Sequence, residues 1–501
     1  REEASAAEKL RAQALEGFDY REPEEIRLSA FKDEALARDL AEQGRERWLH
    51  AEEEWTQALE SFQRITTVLA RREAALEDIL AREPSHSSAH SLLVEFLMDH
   101  VRLAERFHAP RGELVTRLQY QTKGTAQEGW LNEPARLEFK NLPPGMRVEV
   151  TRSVQEDQGR RQFKPEEGLF DATHLGPRSL RPGAYLLRIA REGQPLVQWP
   201  LRLRRGEYRA VDPAQWQLPS RIPKGTVFIP PSCFLKGTNE SESVREFMHS
   251  TPMHEVCIPY GYFIASREVT FGDWVDYLDA NPTDLEARTR FTQVGQLPFT
   301  EFELKESTSP AKPNQQPWRF RLKLQEGEMR ASDDAGRVAY PERLVAWRDL
   351  PLQGISLENL SGFFRWLDES KRLPGARLCD ELEWTLAARG PDSRKYPHGD
   401  RIEKDEASFD LTYDRKPNSF GPDAVGTHLA STSPFGLDDM AGNVFEWVDS
   451  ALEPGRPVAR SGSYYYASST ARIPNRETPE PNFRDLSVGL RLCASVPLLV
   501  K

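Results

Sequence analysis

S-P-F-G-L-D-D-M-A-G-N-V-F-E-W-V-D-S, residues 433–450, is the stretch whose reading decides the fold. Gly442 permits a backbone shape or close approach denied to other residues. Asn443 and Glu446 carry oxygens that either satisfy loop backbone groups or turn toward a cation. Trp447, with Trp384 upstream, fits a core aromatic that packs irregular loops. This texture of glycine, proline and aromatics, with short strands and long loops, runs from Lys224 to the C-terminus. Helical spacing breaks it at residues 271–280, 356–369 and 380–389. A polar stretch, residues 298–336, reads as an insert on the surface.

Upstream the pattern changes twice. Residues 135–216 alternate with period two between turn residues, as in ARLEFKNLPPGMRVEVTR and LRPGAYLLRI, which predicts a small antiparallel β-sandwich. Residues 1–130 are rich in Ala, Glu, Leu and Arg. Apolar residues there recur at helical spacing: Trp55, Leu59, Phe62, Ile65, Val68, then Leu76, Ile79 and Leu80. Glu83, Pro84 and Ser85 stop one helix and start the next, from about Ser88 to Phe107, with a third from Gly112 to Tyr120. The division expected is 1–130 helical, 131–219 β, and 220–501 mixed α+β.

The chain has 501 residues and a net charge of −11, which argues against a general nucleic-acid binder. No apolar run reaches the roughly 18 residues of a membrane helix. No secretory signal pattern opens the chain, and its start at Arg1 leads us to expect a fragment or processed product. The four cysteines, Cys233, Cys257, Cys379 and Cys493, have neither CxxC nor Cys/His metal spacing. They read as buried free thiols in a reducing, cytoplasmic setting. Serine-hydrolase elbow, P-loop, HExxH and kinase signatures are absent from the sequence.

Several motifs after Lys224 occur in one order: GTVFIPPSCFLKG, HEVCIPYGYFIASREVTFGDWVDYL, ISLENLSGFFRWLDE, ARLCDELEWTLAARG, YPHGD, the stretch at 433–450, and RSGSYYYASSTARIPNRETPEPNFRDLSVGLRLCAS. Together they resemble the formylglycine-generating enzyme and sulfatase-modifying factor family, over about 270 residues. The resemblance implies a C-type-lectin-like fold. It also implies a structural Ca2+ held by Asn443, Glu446, the Val448 carbonyl and Ser450, oxygen ligands that suit a hard cation. The family's oxidases place two cysteines after the Gly-Ser-Tyr turn, as soft ligands for copper. Here those positions read Tyr466 and Ala471, so formylglycine synthesis is not expected. The helical part resembles a tetratricopeptide-type hairpin, and the β part resembles PEGA-type domains. The whole resembles the C-terminal half of bacterial bifunctional serine/threonine kinase and formylglycine-generating-enzyme-family proteins, with a kinase domain expected upstream.

These readings favour a non-catalytic recognition or regulatory module that binds a protein partner or ligand. Its expected surface is the former catalytic face: Tyr464, Tyr465, Tyr466, Arg472, Asn475 and Arg476, since Tyr and Arg concentrate at binding hot spots. A second reading follows from resemblance to ergothioneine sulfoxide synthases. There three histidines hold iron, and His86 and His90, spaced i, i+4, with His50 upstream, would be the ligands. His254, His398 and His428 have no partner at ligand spacing. A third reading makes the insert a handle for cleavage or docking by a protease or kinase.

Overall fold

The computed structural model describes residues 2–22, 26, 33–171, 176–213, 218–284, 294–297, 300–306, 318–324, 330–339, 343–355, 357, 360–416, 421–450, 457–479 and 483–496. Among the described residues, four helices open the chain: α1 (Glu2–Asp19), α2 (Glu34–Arg82), α3 (Ser87–Arg106) and α4 (Gly112–Thr122). The Asp33 carboxylate caps α2 by accepting from the Ala35 and Leu36 amides. At 49 residues, α2 is about 73 Å long. That length departs from a tetratricopeptide-type hairpin, whose resemblance is confined to the junction at Pro84. α1 crosses α2 on small residues. Ala7, Ala14, Ala41, Ala51 and Ala58 are fully buried, and a Cβ on Gly17 would stand 2.9 Å from the Ala51 Cβ. Phe18, Trp55 and Phe107 complete this core.

Seven strands follow: β1 (Ala135–Phe139), β2 (Met146–Gln155), β3 (Arg161–Asp171), β4 (Arg178–Leu180), β5 (Gly183–Arg191), β6 (Val197–Leu203) and β7 (Tyr208–Val211). One sheet has the order β3-β2-β5-β6 and the other β4-β1-β7, with Leu137, Phe139, Val148, Val150, Ile189 and Leu201 in a common core. The pairing is not wholly antiparallel as expected: β1 and β7 run parallel, Arg136 opposite Tyr208 and Phe139 opposite Val211. Chain entry and exit strands lie side by side, a long-range pairing that no local turn signals.

The remaining part is built on a sheet of order β20-β19-β18-β22-β11-β8, with β21 paired to β19. Its strands are β8 (Thr226–Ile229), β11 (Tyr262–Ala265), β18 (Ala376–Asp380), β19 (Phe445–Asp449), β20 (Pro457–Arg460), β21 (Val488–Leu490) and β22 (Leu492–Ser495). A separate ribbon pairs β9 (Ser232–Lys236) with β10 (His254–Ile258), and between them lies α5 (Glu242–Phe247). α6 (Phe271–Ala280) and α8 (Glu381–Arg389) each begin with a capping box, Thr270/Asp273 and Asp380/Glu383. α7 (Leu360–Glu369) packs Phe363 against Trp274 and Tyr277 of α6.

Two expectations are corrected here. The stretch at 298–336 is not a mere surface excursion. Its described residues include β13 (Thr300–Glu306), β14 (Trp318–Leu324) and β15 (Arg330–Ala331), which form one antiparallel sheet with β12 (Val294–Leu297) just before the stretch, and β16 (Arg337–Ala339) pairs with β17 (Leu344–Ala346) just after it. Leu304, Trp318, Phe320 and Leu322 are buried, and Phe320 stacks on Trp347 at 5.6 Å. Residues 298–299, 307–317 and 325–329 of that stretch lie outside the described residues. The cysteines are not free thiols either: Cys233 is bonded to Cys257 and Cys379 to Cys493. Strand pairing of β9 with β10 and of β18 with β22 brings together residues 24 and 114 positions apart. The sequence argument for a reducing setting therefore falls. Among the described residues, no helix is long and apolar enough to cross a membrane.

The Gly17–Ala51 crossing gives a direct test. Gly17→Val should destabilise the α1–α2 packing by about 1–3 kcal/mol. It would be read as faster amide exchange in α1 with the strands of the C-terminal sheet unchanged.

Candidate recognition face

Three segments converge beside β19. Gly442, at φ 81°, passes so close to Ser408 that a Cβ would collide with its carbonyl oxygen. The Asn443 amide donates to Ser408 O at 2.8 Å, Gly442 N to Ser461 O at 2.7 Å, and Tyr464 N to Asn443 O at 2.9 Å. The turn after β20 is thereby zipped to the Gly-Asn pair, and the tyrosines that follow take fixed places. Tyr464 is buried, Tyr465 is half-buried, and Tyr466 is 40% exposed. The rings of Tyr465 and Tyr466 meet edge to face at 5.1 Å, and Tyr466 rests against buried Phe445 at 5.5 Å. The Asp410 amide donates to Tyr466 O at 3.1 Å, which places Leu411, 52% exposed, nearby in the chain.

The other three expected residues do not join this surface. Arg472 is half-buried, 3.6 Å from Glu240, and donates to the Tyr396 hydroxyl at 3.4 Å. Asn475 is buried, with no hydrogen-bond partner for its side-chain oxygen or nitrogen among the described residues. Arg476 is buried, donates to both oxygens of Glu381, and lies 5.6 Å from the Trp48 ring of α2. Glu381 also accepts from Arg460 at 2.8 Å. Burial opposes its charge, but Arg476 and Arg460 more than offset it and hold the carboxyl down at about 2. The exposed remainder of the face is therefore Tyr465 and Tyr466. Sequence reasoning missed Glu381, Arg460 and Trp48, which turn half of the expected surface into an interior contact.

Below the face lies a buried ionic network. Arg491 and Glu446 are both fully enclosed and joined at 2.7 Å, and Trp384 Nε1 donates to Glu446 Oε2 at 2.6 Å. Arg491 also donates to Ala265 O at 3.0 Å and Asp438 O at 2.7 Å. Asn443 Nδ2 donates to Glu268 Oε2 at 2.7 Å, and its Oδ1 accepts from the Asp423 amide at 2.9 Å. Burial, then the charges of Asp439 and Glu446, push the Glu268 carboxyl well above the usual carboxylate range. Burial also lifts Asp439 to about 6, against the opposing hydrogen bond from the Gly426 amide.

The four residues expected to hold Ca2+ do not fit it. Both Glu446 oxygens are taken by Arg491 and Trp384, and the Asn443 oxygen by a main-chain amide. Val448 sits within β19 between β18 and β20. Ser450 is four residues beyond Glu446, about 13 Å along an extended chain, too far to share one ion. Among the described residues, no group of three or more His, Cys, Asp or Glu is placed to hold a metal.

The iron reading is corrected likewise. His50 lies on α2, its side chain 72% exposed beside Glu53 and Glu54. His86 caps α3, accepting from the Ala89 amide at 3.2 Å, and His90 follows on that helix. Between His50 and the end of α2 at Arg82 runs about 48 Å of continuous helix. The three imidazoles cannot meet at one ion.

Residues 215–496 match the family described as the sulfatase-modifying factor enzyme 1-like domain, more than half of the chain. Serine/threonine-protein kinase pkn1 of Chlamydia caviae is 24% identical over 290 residues, covering 54% of this chain and 38% of the kinase. Hercynine oxygenase of Mycobacterium tuberculosis is 25% identical over 282 residues, covering 52% of this chain and 58% of that protein. Inactive C-alpha-formylglycine-generating enzyme 2 of Mus musculus is 28% identical over 160 residues, covering 29% of this chain and 49% of that protein. The chain thus spans less than two thirds of each of these relatives.

Two outcomes are expected from this site. Incubation with a calcium chelator should leave the melting temperature unchanged, and a fall on chelation would restore the metal assignment. Asp439→Asn should stabilise the protein. The raised folded-state pKa means the native state binds more protons than the unfolded chain, so the wild type loses stability as pH rises from about 4 to about 6. The variant should escape that loss, gaining about 1–3 kcal/mol above pH 6 and nothing below pH 4, in urea melts across that range.

Proposed function

The chain belongs to the sulfatase-modifying factor enzyme 1-like family, and from that premise we propose that it is a non-catalytic recognition or regulatory module of a bacterial signalling protein. It binds a protein partner through the exposed tyrosine end of the former catalytic face, and a serine/threonine kinase domain precedes it in the complete protein. The observation that carries this reading is the state of the cysteines. Tyr466 and Ala471 stand where the oxidases of the family place thiols, and the four cysteines of this chain are paired in two disulfides elsewhere. No thiolate is left to bind copper.

Similarity to the pkn1 kinase supports the kinase association, and similarity to the inactive mouse protein supports loss of catalysis in this fold. Tyr465 and Tyr466 present rigid, amphipathic rings of the kind that anchor protein interfaces. The strands at 135–211 serve as a PEGA-type sandwich that holds the helical region and the lectin-like domain at a fixed separation. Two disulfides favour an oxidising compartment such as the bacterial envelope over the cytoplasm.

The purified protein, supplied with copper and oxygen, should convert no cysteine in a sulfatase-derived peptide to formylglycine above the peptide-only background. A photo-crosslinking residue at Tyr466 should trap a discrete protein adduct in cells. The same residue at Tyr208, 54% exposed on the β unit, should not. Formylglycine formation, or equal trapping at both positions, would overturn the proposal.

A further inference from the structure

The Cys233–Cys257 bond closes a loop across β9 and β10, joining residues that sit directly opposite in the ribbon. That ribbon has only two strands, an arrangement marginal in isolation. The closed loop carries several polar contacts to the helical region. Lys236 Nζ stands 2.7 Å from Asp19 Oδ1, and His254 Nε2 stands 2.6 Å from Asp19 Oδ2. Arg245 Nη2 donates to Glu52 Oε2 at 2.6 Å, and Trp55 Nε1 donates to Glu242 at 3.1 Å. In the ribbon, His254 lies opposite Lys236, so both strands are needed to hold Asp19 between them. Outside the loop, Arg21 pairs with Asp380, and Trp48 covers Arg476.

The two disulfides differ in access. Cys257 is exposed and Cys233 half-buried, whereas Cys379 and Cys493 are fully enclosed in the sheet core. Thiol exchange requires a thiolate to reach a sulfur, so access separates a reducible bond from an inert one.

We propose that Cys233–Cys257 is a thiol-exchange site for a dithiol reductant, and that opening it releases α1 and the first half of α2 from the C-terminal domain. A reductant thiolate attacks the Cys257 sulfur, the S–S bond breaks, and Cys233 leaves as a thiolate that takes up a proton. The second reductant thiol resolves the mixed disulfide. Two electrons and two protons pass to the protein, and the reductant becomes a disulfide. Without the cross-link the loop regains conformational freedom, and ordering Lys236, Arg245 and His254 against α1 and α2 costs more. Release uncovers Glu381 and Arg476, so the accessible face grows from a tyrosine edge into a mixed aromatic and charged surface. The inference does not rest on the recognition role proposed above.

The test uses the full chain, oxidised and then incubated with dithiothreitol under native conditions, with alkylation mapping and amide exchange read by mass spectrometry. Cys233 and Cys257 should take up label while Cys379 and Cys493 do not, and exchange in α1 should rise about tenfold or more. A Cys233→Ser/Cys257→Ser protein should exchange like the reduced form with or without reductant. Asp19→Asn, which keeps the bond, covers the case in which that double variant fails to fold: faster exchange in oxidised α1 supports the clasp, and wild-type exchange overturns it. The proposal also falls if all four cysteines are labelled together, or if α1 exchanges equally before and after selective reduction.

Discussion

Arg491 and Glu446 form the contact on which the C-terminal domain depends. Both side chains are fully enclosed, and a buried charge without its partner costs several kcal/mol. Arg491 lies in the chain between β21 and β22, and its guanidinium reaches Glu446 on β19, Ala265 at the end of β11 and Asp438 in the loop before β19. Trp384 of α8 fills the remaining approach to Glu446. Sheet, helix and irregular loop are therefore pinned to one another at a single point. Asp439, Glu268 and Asn443 lie around it, where burial raises the two carboxyl groups and amide groups donate to them. The irregular loops of this domain keep their shape because their polar groups answer to this centre.

The helical region is docked on that domain rather than trailing from it. Asp19 and Glu52 of α1 and α2 face cations supplied by the ribbon and by α5. Trp48 lies over Arg476, which is itself bound to Glu381. The β unit docks as well: Arg161 pairs with Asp400 at 2.9 Å, Ser153 donates to Asp392 at 2.5 Å, and Trp199 Nε1 donates to Pro231 O at 3.1 Å. Much of what a single lectin-like domain would expose is consequently interior here.

Features set by neighbours in sequence were readable from it. The helices at 271–280 and 380–389 carry their own capping boxes, and the break at Pro84 ends α2 where the proline predicts it. The motif order after Lys224 gave the family. What escaped reading is fixed across long separations. The cysteine partners follow from strand pairing, and W-R-F-R-L-K-L at 318–324 hides an alternating apolar face among charges. The burial of Arg476 is decided by Trp48, far away in the chain. Tyr464 and Asn475 look like surface residues by type and are enclosed by packing that no local pattern announces.

The parallel pairing of β1 with β7 makes that pair a ruler. The chain enters the β unit on one strand and leaves on its neighbour, so the step along the strands between entry and exit is about 10 Å, set by four paired residues. Everything from Lys140 to Glu207 departs from this pair and returns to it. Loops in that excursion can lengthen, shorten or drift in sequence over generations without changing the separation of the two parts it joins.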